Sequence, residues 1–319
     1  MQDLYIAIDL GGTRIRAARC RADGVIESRA EQLTHAAEDG EPVLRRIVQT
    51  ARAVWPDSPP AAVGLGAPGP VNPYTGVVYH APNIPSFTGL PLRDRLREHF
   101  GVPVYVGNDA NLAALAEWRY GAARGQANVV YLTISTGIGG GVIVDNRLLL
   151  GSQGLGAELG HVSVNYTGRP DKCGNVGCVE AYGAGPAIRL RAIERLQAGV
   201  HSALREMVRG DWEAVSVELL HAAAKAGDAF AESVIRDAAE AIGFALVSFL
   251  HIFNPSIVVI GGGVSNLGGR LFDPIRDIVQ RHVIDSRYVA PIVAAELGGN
   301  VGLLGALALA LDPPRHREA

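Results

Sequence analysis

Three glycine turns in this 319-residue sequence have the makings of phosphate chemistry. Asp9-Leu10-Gly11-Gly12-Thr13 sets a carboxylate at the end of an apolar run, directly before two glycines and a hydroxyl. Glycines let backbone N–H groups approach a phosphate closely. Thr13 adds a donor, and Asp9 can hold Mg²⁺ through the waters that this ion keeps. Ser135-Thr136-Gly137-Ile138-Gly139-Gly140-Gly141 offers the same chemistry behind a second apolar run. A third cluster, Gly261-Gly262-Gly263-Val264, presents bare backbone on which an adenine and ribose can lie flat. None is a GxxxxGK[ST] loop. One glycine-rich hairpin alone is more often structural. Two of them, each behind an apolar strand, favour nucleotide binding, with the β- and γ-phosphates held by the turns.

A second set of residues suits a polyhydroxyl substrate. Asn108-Asp109 stands between an apolar run and a helical stretch. Both types cap helices well, yet a carboxylate at a strand end can also act as the general base that phosphoryl transfer to a hydroxyl needs. The two readings are compatible. Glu158-Leu159-Gly160-His161 puts an acid and an imidazole three apart, and Cys173-Gly174-Asn175-Val176-Gly177-Cys178 follows. A CGxxGC turn has the thiol spacing of a metal knuckle; the alternative is a reduced, buried pair. Glu180, just past the second cysteine, would be aimed by such a site.

These residues need two α/β halves to position them. Leu4–Leu10 reads as a buried strand, Arg14–Arg19 as its return, with a turn at Asp23-Gly24. Glu41–Val54 has helical spacing, Ala62–Gly66 and Val102–Val106 are apolar strands, and Ala110–Tyr120 is a helix. Asn128–Ser135, the second glycine turn and Val142–Val144 then repeat the strand, turn, strand grammar, with a turn at Asp145-Asn146. That reads as a duplicated domain. Helical stretches are expected at Pro186–Met207, Ala229–Phe253 and Val301–Leu311, and a strand at Ser256–Ile260. The expected division is an N-terminal domain of residues 1–121, completed by the terminal helix within 301–319, and a larger domain of residues 122–300. A net charge of −3 gives no basic surface for a nucleic-acid backbone. No apolar run reaches the roughly 20 residues of a membrane span. Three cysteines are too few for a secreted disulfide framework. A cytoplasmic location is therefore expected.

Taken together, these motifs resemble the ROK family of bacterial repressors and sugar kinases. The resemblance spans nearly the whole chain and rests on Asp9-Leu10-Gly11-Gly12-Thr13, Gly66-Ala67-Pro68-Gly69, Ala81-Pro82-Asn83-Ile84-Pro85, Asn108-Asp109-Ala110-Asn111, Ser135–Gly141, Glu158-x-x-His161 and Cys173–Glu180. Within the family the chain looks most like bacterial glucokinases. The resemblance implies an actin-like ATPase (ribonuclease H-like) fold, two α/β domains with a cleft between them. It implies ATP-dependent phosphorylation of a hexose at its 6-hydroxyl, glucose first, with Asp109 as base. Asn83, Asn108, Glu158, His161 and Glu180 would hold the other hydroxyls. Asp9, Gly11, Gly12, Thr13, Arg14, Thr136, Gly137, Gly262 and Gly263 would bind the nucleotide with Mg²⁺. A structural zinc would sit on His161, Asp171, Cys173 and Cys178. A homodimer or homotetramer is implied too.

Two positions depart from the family pattern. Arg14 stands where relatives carry Lys, with the same charge but a different donor geometry. Asp171 stands where relatives carry a third thiolate, a mixture zinc accepts. Other substrates remain open: N-acetylglucosamine, N-acetylmannosamine, fructose, and polyphosphate as donor. A non-catalytic sugar-sensing regulator is the remaining alternative. ROK repressors carry a DNA-binding helix-turn-helix before the first glycine turn, and here that turn starts at Asp9.

Overall fold

The apolar run that ends at Asp9 forms strand β1 (Leu4–Leu10), the centre of a five-stranded sheet. The computed structural model describes residues 3–81 and 84–314. β1 pairs antiparallel with β2 (Arg14–Arg21), which pairs with β3 (Ile26–Leu33). On its other edge β1 pairs parallel with β4 (Ala62–Ala67), followed by β7 (Val104–Asn108). A small hairpin, β5 (Val71–Asn72) and β6 (Val77–Val78), lies between them in sequence.

A second five-stranded sheet repeats this order. It comprises β8 (Val129–Ile134), β9 (Ile138–Val144), β10 (Arg147–Leu148), β11 (Ile257–Gly261) and β12 (Ile292–Ala294), in the order β10-β9-β8-β11-β12. β11 runs parallel to both β8 and β12. Hairpin strands on one side of a central strand and parallel strands on the other occur in both halves, as the repeated strand and turn grammar predicts.

The chain packs as two compact units. The first is drawn from Met1–Gly125, Gly141–Ala157 and Glu296–Ala319, the second from Gln126–Gly140 and Glu158–Ala295. In the first, strand alternation sends Ile6, Ile8, Leu10, Val63 and Leu65 into one core with Val43, Leu44 and Ile47 of α1 (Gly40–Arg52) and Leu92, Leu96 and Phe100 of α2 (Leu92–Phe100). α10 (Val301–Leu311) and α3 (Asp109–Tyr120) pack against each other and against β4. There the contact is backbone to backbone: a Cβ on Gly64 would lie 1.9 Å from the Ala306 carbonyl oxygen, and one on Gly305 would lie 2.2 Å from that of Leu112. α10 is apolar all round because Leu303 to Ala310 are all buried.

The second unit adds α4 (Glu180–Gly183), α5 (Gly185–Gln197), α6 (Leu204–Val208), α7 (Val217–Lys225), α8 (Ala229–Phe253) and α9 (Gly269–His282). α8 is capped at its start by the Asp228 side chain and ends at Asn254 in the left-handed region. Two expectations need correction. The stretch 186–207 is not one helix: α5 stops at Gln197, and Gly199 takes a φ of 99° before α6 begins. The run Ser135–Gly141 is not one loop: Ile138 to Gly141 belong to β9, leaving Ser135 to Gly137 as the turn. No helix among the described residues is long and apolar enough to cross a membrane.

Candidate functional site

The first glycine turn is a tight β1–β2 hairpin closed by the Gly11 N–H donating to the Arg14 carbonyl at 2.9 Å. Thr34, fully buried, braces it from behind. Its hydroxyl donates to the Gly11 carbonyl at 2.7 Å, and its N–H to the Thr13 carbonyl at 2.9 Å. Bracing from behind spends the carbonyls of Gly11 and Thr13 inside the protein. Gly12 and Thr13 follow Asp9 at the mouth of this hairpin.

Asp9 lies opposite Arg16 in the β1–β2 ladder, and Arg16 Nε stands 3.8 Å from its Oδ2. Burial nevertheless pushes the Asp9 carboxyl above its ordinary range, with Arg16 opposing. The carboxylate also touches the start of α10, where a Cβ on Gly302 would come within 2.5 Å of it. Arg14 is engaged elsewhere: it forms an exposed ion pair with Glu31.

β7 delivers Asn108 to the start of α3. Asn108 Oδ1 caps the helix by accepting the Asn111 N–H at 3.0 Å. Its Nδ2 donates to the Gly69 carbonyl at 3.0 Å and to Asp109 Oδ1 at 3.2 Å. Asp109 is exposed, and its Oδ1 also accepts the Ala110 N–H at 2.8 Å. Asn108 therefore caps α3, and Asp109 is steadied at the start of that helix. Asn83 lies outside the described residues.

In the second unit the turn Ser135–Gly137 is closed by Ser135 N–H to Gly137 carbonyl at 2.8 Å, with Thr136 exposed. Directly after it, the Ile138 N–H donates to Glu180 Oε2 at 2.7 Å. Gly262 has a φ of 86°, and a Cβ there would lie 2.3 Å from the Ile134 carbonyl oxygen, so only glycine fits. A Cβ on Gly263 would meet nothing within 4 Å.

Glu158 precedes the short turn Leu159–His161, and His161 ends it. That turn is pressed onto β9, since a Cβ on Gly160 would fall 1.8 Å from the Ile138 carbonyl oxygen. The Glu158 residue is exposed at the surface, yet partial withdrawal of its carboxyl from water raises its pKa, with the Glu180 charge adding and His161 opposing. Glu158, His161 and Glu180 thus form one electrostatic group. His161 Nδ1 lies 3.1 Å from Asp171 Oδ2, and Cys173 Sγ lies 3.7 Å from Cys178 Sγ. The ligand atoms of His161, Asp171, Cys173 and Cys178 all fall within 4.8 Å of one another, a group able to hold a metal ion. Without a cation, burial and the adjacent Cys173 push the Cys178 thiol up to about 12.

The ROK family profile matches residues 5–313. The chain belongs to the ROK family. Over 306 residues it is 38% identical to a glucokinase of Thermotoga maritima, covering 95% of this chain and 96% of that protein. Its structure matches a ROK hexokinase of Thermus thermophilus with a TM-score of 0.82 at 35% identity, covering 97% of this chain and 98% of the other. It also matches a ROK family glucokinase of Streptomyces griseus, solved in complex with glucose and AMPPNP. There the TM-score is 0.81 at 36% identity, over 97% of this chain and 99% of that one. The α/β fold with two mixed five-stranded sheets is the actin-like ATPase fold of ROK kinases.

Thr34 and the Ile138 N–H were not legible as parts of the site. Thr34 sits in a polar run behind β3 with no motif around it. A backbone donor has no sequence signature at all.

Proposed function

We propose that this ROK protein is an ATP-dependent glucokinase, transferring the γ-phosphoryl group of ATP to the 6-hydroxyl of glucose. The observation that carries this reading is full-length likeness to two bacterial glucokinases, one holding glucose and AMPPNP. It is joined to an intact Asn108-Asp109 pair, Glu158-x-x-His161 and Glu180. The sugar oxygen attacks the γ-phosphorus, the bond to the β-phosphate oxygen breaks, and ADP leaves. Asp109 accepts the hydroxyl proton. Asn108 keeps that carboxylate in place through its 3.2 Å hydrogen bond. Asn83, Asn108, Glu158, His161 and Glu180 take the remaining hydroxyls.

The glycine turns at Gly11-Gly12-Thr13 and Thr136-Gly137 receive the phosphates, and Gly262-Gly263 the nucleoside. Arg14, tied to Glu31, contributes long-range positive charge rather than a direct contact. Mg²⁺, held through water by Asp9, would neutralise charge developing on the β- and γ-phosphate oxygens. Zinc is the cation best matched to the four-residue group. Two thiolates at about 2.3 Å from a tetrahedral zinc stand about 3.8 Å apart, against 3.7 Å between Cys173 and Cys178 here. With four protein ligands its role is structural, fixing the loop that carries His161 and Glu180. The working form is a cytoplasmic homodimer or homotetramer.

The test is a panel of glucose, N-acetylglucosamine, N-acetylmannosamine, fructose and mannose with ATP and Mg²⁺, read by ADP release. Glucose is expected to give the largest kcat/KM. A larger value for any other sugar, or none for all of them, would overturn the assignment.

A further inference from the structure

The turn Ser135–Gly137 lies among the residues assigned to phosphate, and Glu180 among those assigned to sugar. Yet they share one hydrogen bond. The Ile138 N–H, the first donor after the turn, points at Glu180 Oε2 at 2.7 Å. A Cβ on Gly137 would sit 2.6 Å from that same oxygen and 3.3 Å from the carboxyl carbon. So Gly137 carries no side chain because the Glu180 carboxylate occupies that space. The carboxylate is half-buried at the first residue of α4. The turn is also tied to the next helix, for the Gly185 N–H donates to the Ser135 carbonyl at 2.8 Å. α4 and the start of α5 therefore hold the turn at both ends, by Glu180 at Ile138 and by Gly185 at Ser135.

We propose that Glu180 couples sugar and nucleotide binding, its carboxylate being shared between a sugar hydroxyl and the backbone N–H that sets the phosphate turn. This rests on the glucokinase reading above. A carboxylate has two oxygens and about four acceptor sites, so one oxygen serves the turn while the other serves the sugar. A sugar hydroxyl that fixes the carboxylate rotamer fixes the Ile138 N–H with it. The turn then receives the β- and γ-phosphates already ordered. Because coupling is reciprocal, the nucleotide tightens sugar binding by the same factor. A factor of about 5–50 is expected, within the usual range of such couplings.

Gly137→Ala separates this from a simple phosphate clamp. Gly137 does not have a positive φ, so alanine is tolerated by the backbone, and its methyl group displaces only the carboxylate. Calorimetry would measure glucose affinity with and without saturating Mg²⁺·AMPPNP, for the intact protein, Gly137→Ala and Glu180→Asp. Circular dichroism would check that each variant is folded. The intact protein should show the coupling. Gly137→Ala should bind glucose about tenfold more weakly even without nucleotide, and the coupling factor should fall towards one. Glu180→Asp, one methylene short, should also lose the coupling. Wild-type glucose affinity and coupling in folded Gly137→Ala would overturn the inference and leave the kinase assignment standing. An intact protein that bound neither glucose nor AMPPNP would overturn both.

Discussion

Thr34 donates its hydroxyl to the carbonyl of Gly11 at 2.7 Å from a position with no solvent exposure. That bond fixes the back of a turn whose front is assigned to phosphate. Thr34→Val keeps the shape and removes only the donor, leaving a carbonyl unpaired at a cost of about 1–3 kcal/mol. The apparent KM for ATP is expected to rise about 3- to 10-fold, with the glucose KM within twofold of the original. Steady-state kinetics with each substrate varied in turn decide it. Equal rises in both constants would mean general loosening of the first unit rather than of the turn.

Asp109 is the assigned base. Its Oδ1 is already committed to the Ala110 N–H and the Asn108 amide, contacts that an asparagine oxygen can reproduce. Asp109→Asn should therefore keep glucose affinity within a few-fold while kcat falls about 10²–10⁴-fold. Calorimetry and a coupled ADP assay report the two separately. More than a tenth of the original turnover would remove Asp109 from this role.

The strand framework was legible because its signal is local. β1, β4 and β8 are continuous apolar runs, and α8 is bracketed by Asp228 and Asn254, so each is readable within its own window. What failed was tertiary. The glycines after Ile138 look like a loop, but they lie in β9, where a Cβ on Gly140 would press to 2.6 Å from the Leu159 side chain. A glycine kept for close packing and one kept for a turn are the same letter. α9 carries Pro274 inside its span, which reads as a breaker, and it was not foreseen. The site residues stand out through motif spacing, whereas the Ile138–Glu180 bond joins positions 42 apart through backbone.

Asp9 gives a pH prediction. Burial raises its folded pKa above the ordinary 3.8 despite Arg16. The folded chain then binds more protons than the unfolded one in the interval above 3.8, and stability contributed by this group falls as pH rises through that interval. Above that interval the ionised carboxylate costs ligand-free stability, a cost that the proposed Mg²⁺ would offset. Asp9→Asn should raise the ligand-free Tm by roughly 1–3 °C while lowering kcat/KM for Mg²⁺·ATP by about 10²-fold or more. Scanning calorimetry at neutral pH provides the first number. A lower Tm would show that the Arg16 contact outweighs burial.

Glu117 is a fully buried carboxylate near the end of α3. It accepts the backbone N–H groups of Ala122 at 2.9 Å, Glu296 at 3.2 Å and Leu297 at 2.9 Å. Ala122 lies just before the chain first leaves the first unit, after Gly125, and Glu296 and Leu297 lie where it last returns. Glu117→Ala takes the acceptor from three part-buried backbone donors, at about 1 kcal/mol each or roughly 3 kcal/mol in all. A fall in Tm of about 5 °C is expected at this chain length. A fall under 2 °C in thermal denaturation would mean that water replaces the carboxylate at little cost.

The metal group tests the least usual residue of the site. Asp171 is the one carboxylate among the four residues of the group, and its Oδ2 already faces His161 Nδ1 at 3.1 Å. A carboxylate is a harder ligand than a thiolate, so zinc held by His161, Asp171, Cys173 and Cys178 should be easier to strip than with three thiolates. One zinc per chain is expected in protein purified without added metal. A strong chelator should remove it with loss of glucose phosphorylation and little change in circular dichroism, because the Gly160–Glu180 loop contributes no strand to either five-stranded sheet. Asp171→Cys should hold the metal against about tenfold more chelator or better. Cys178→Ser should lose the metal and weaken glucose binding, since Glu180 follows it by two residues. Elemental analysis alongside the ADP assay is the direct measurement. Fully active protein without zinc would leave Cys173 and Cys178 as a reduced pair, and would place the aiming of Glu180 on its bond to Ile138 alone.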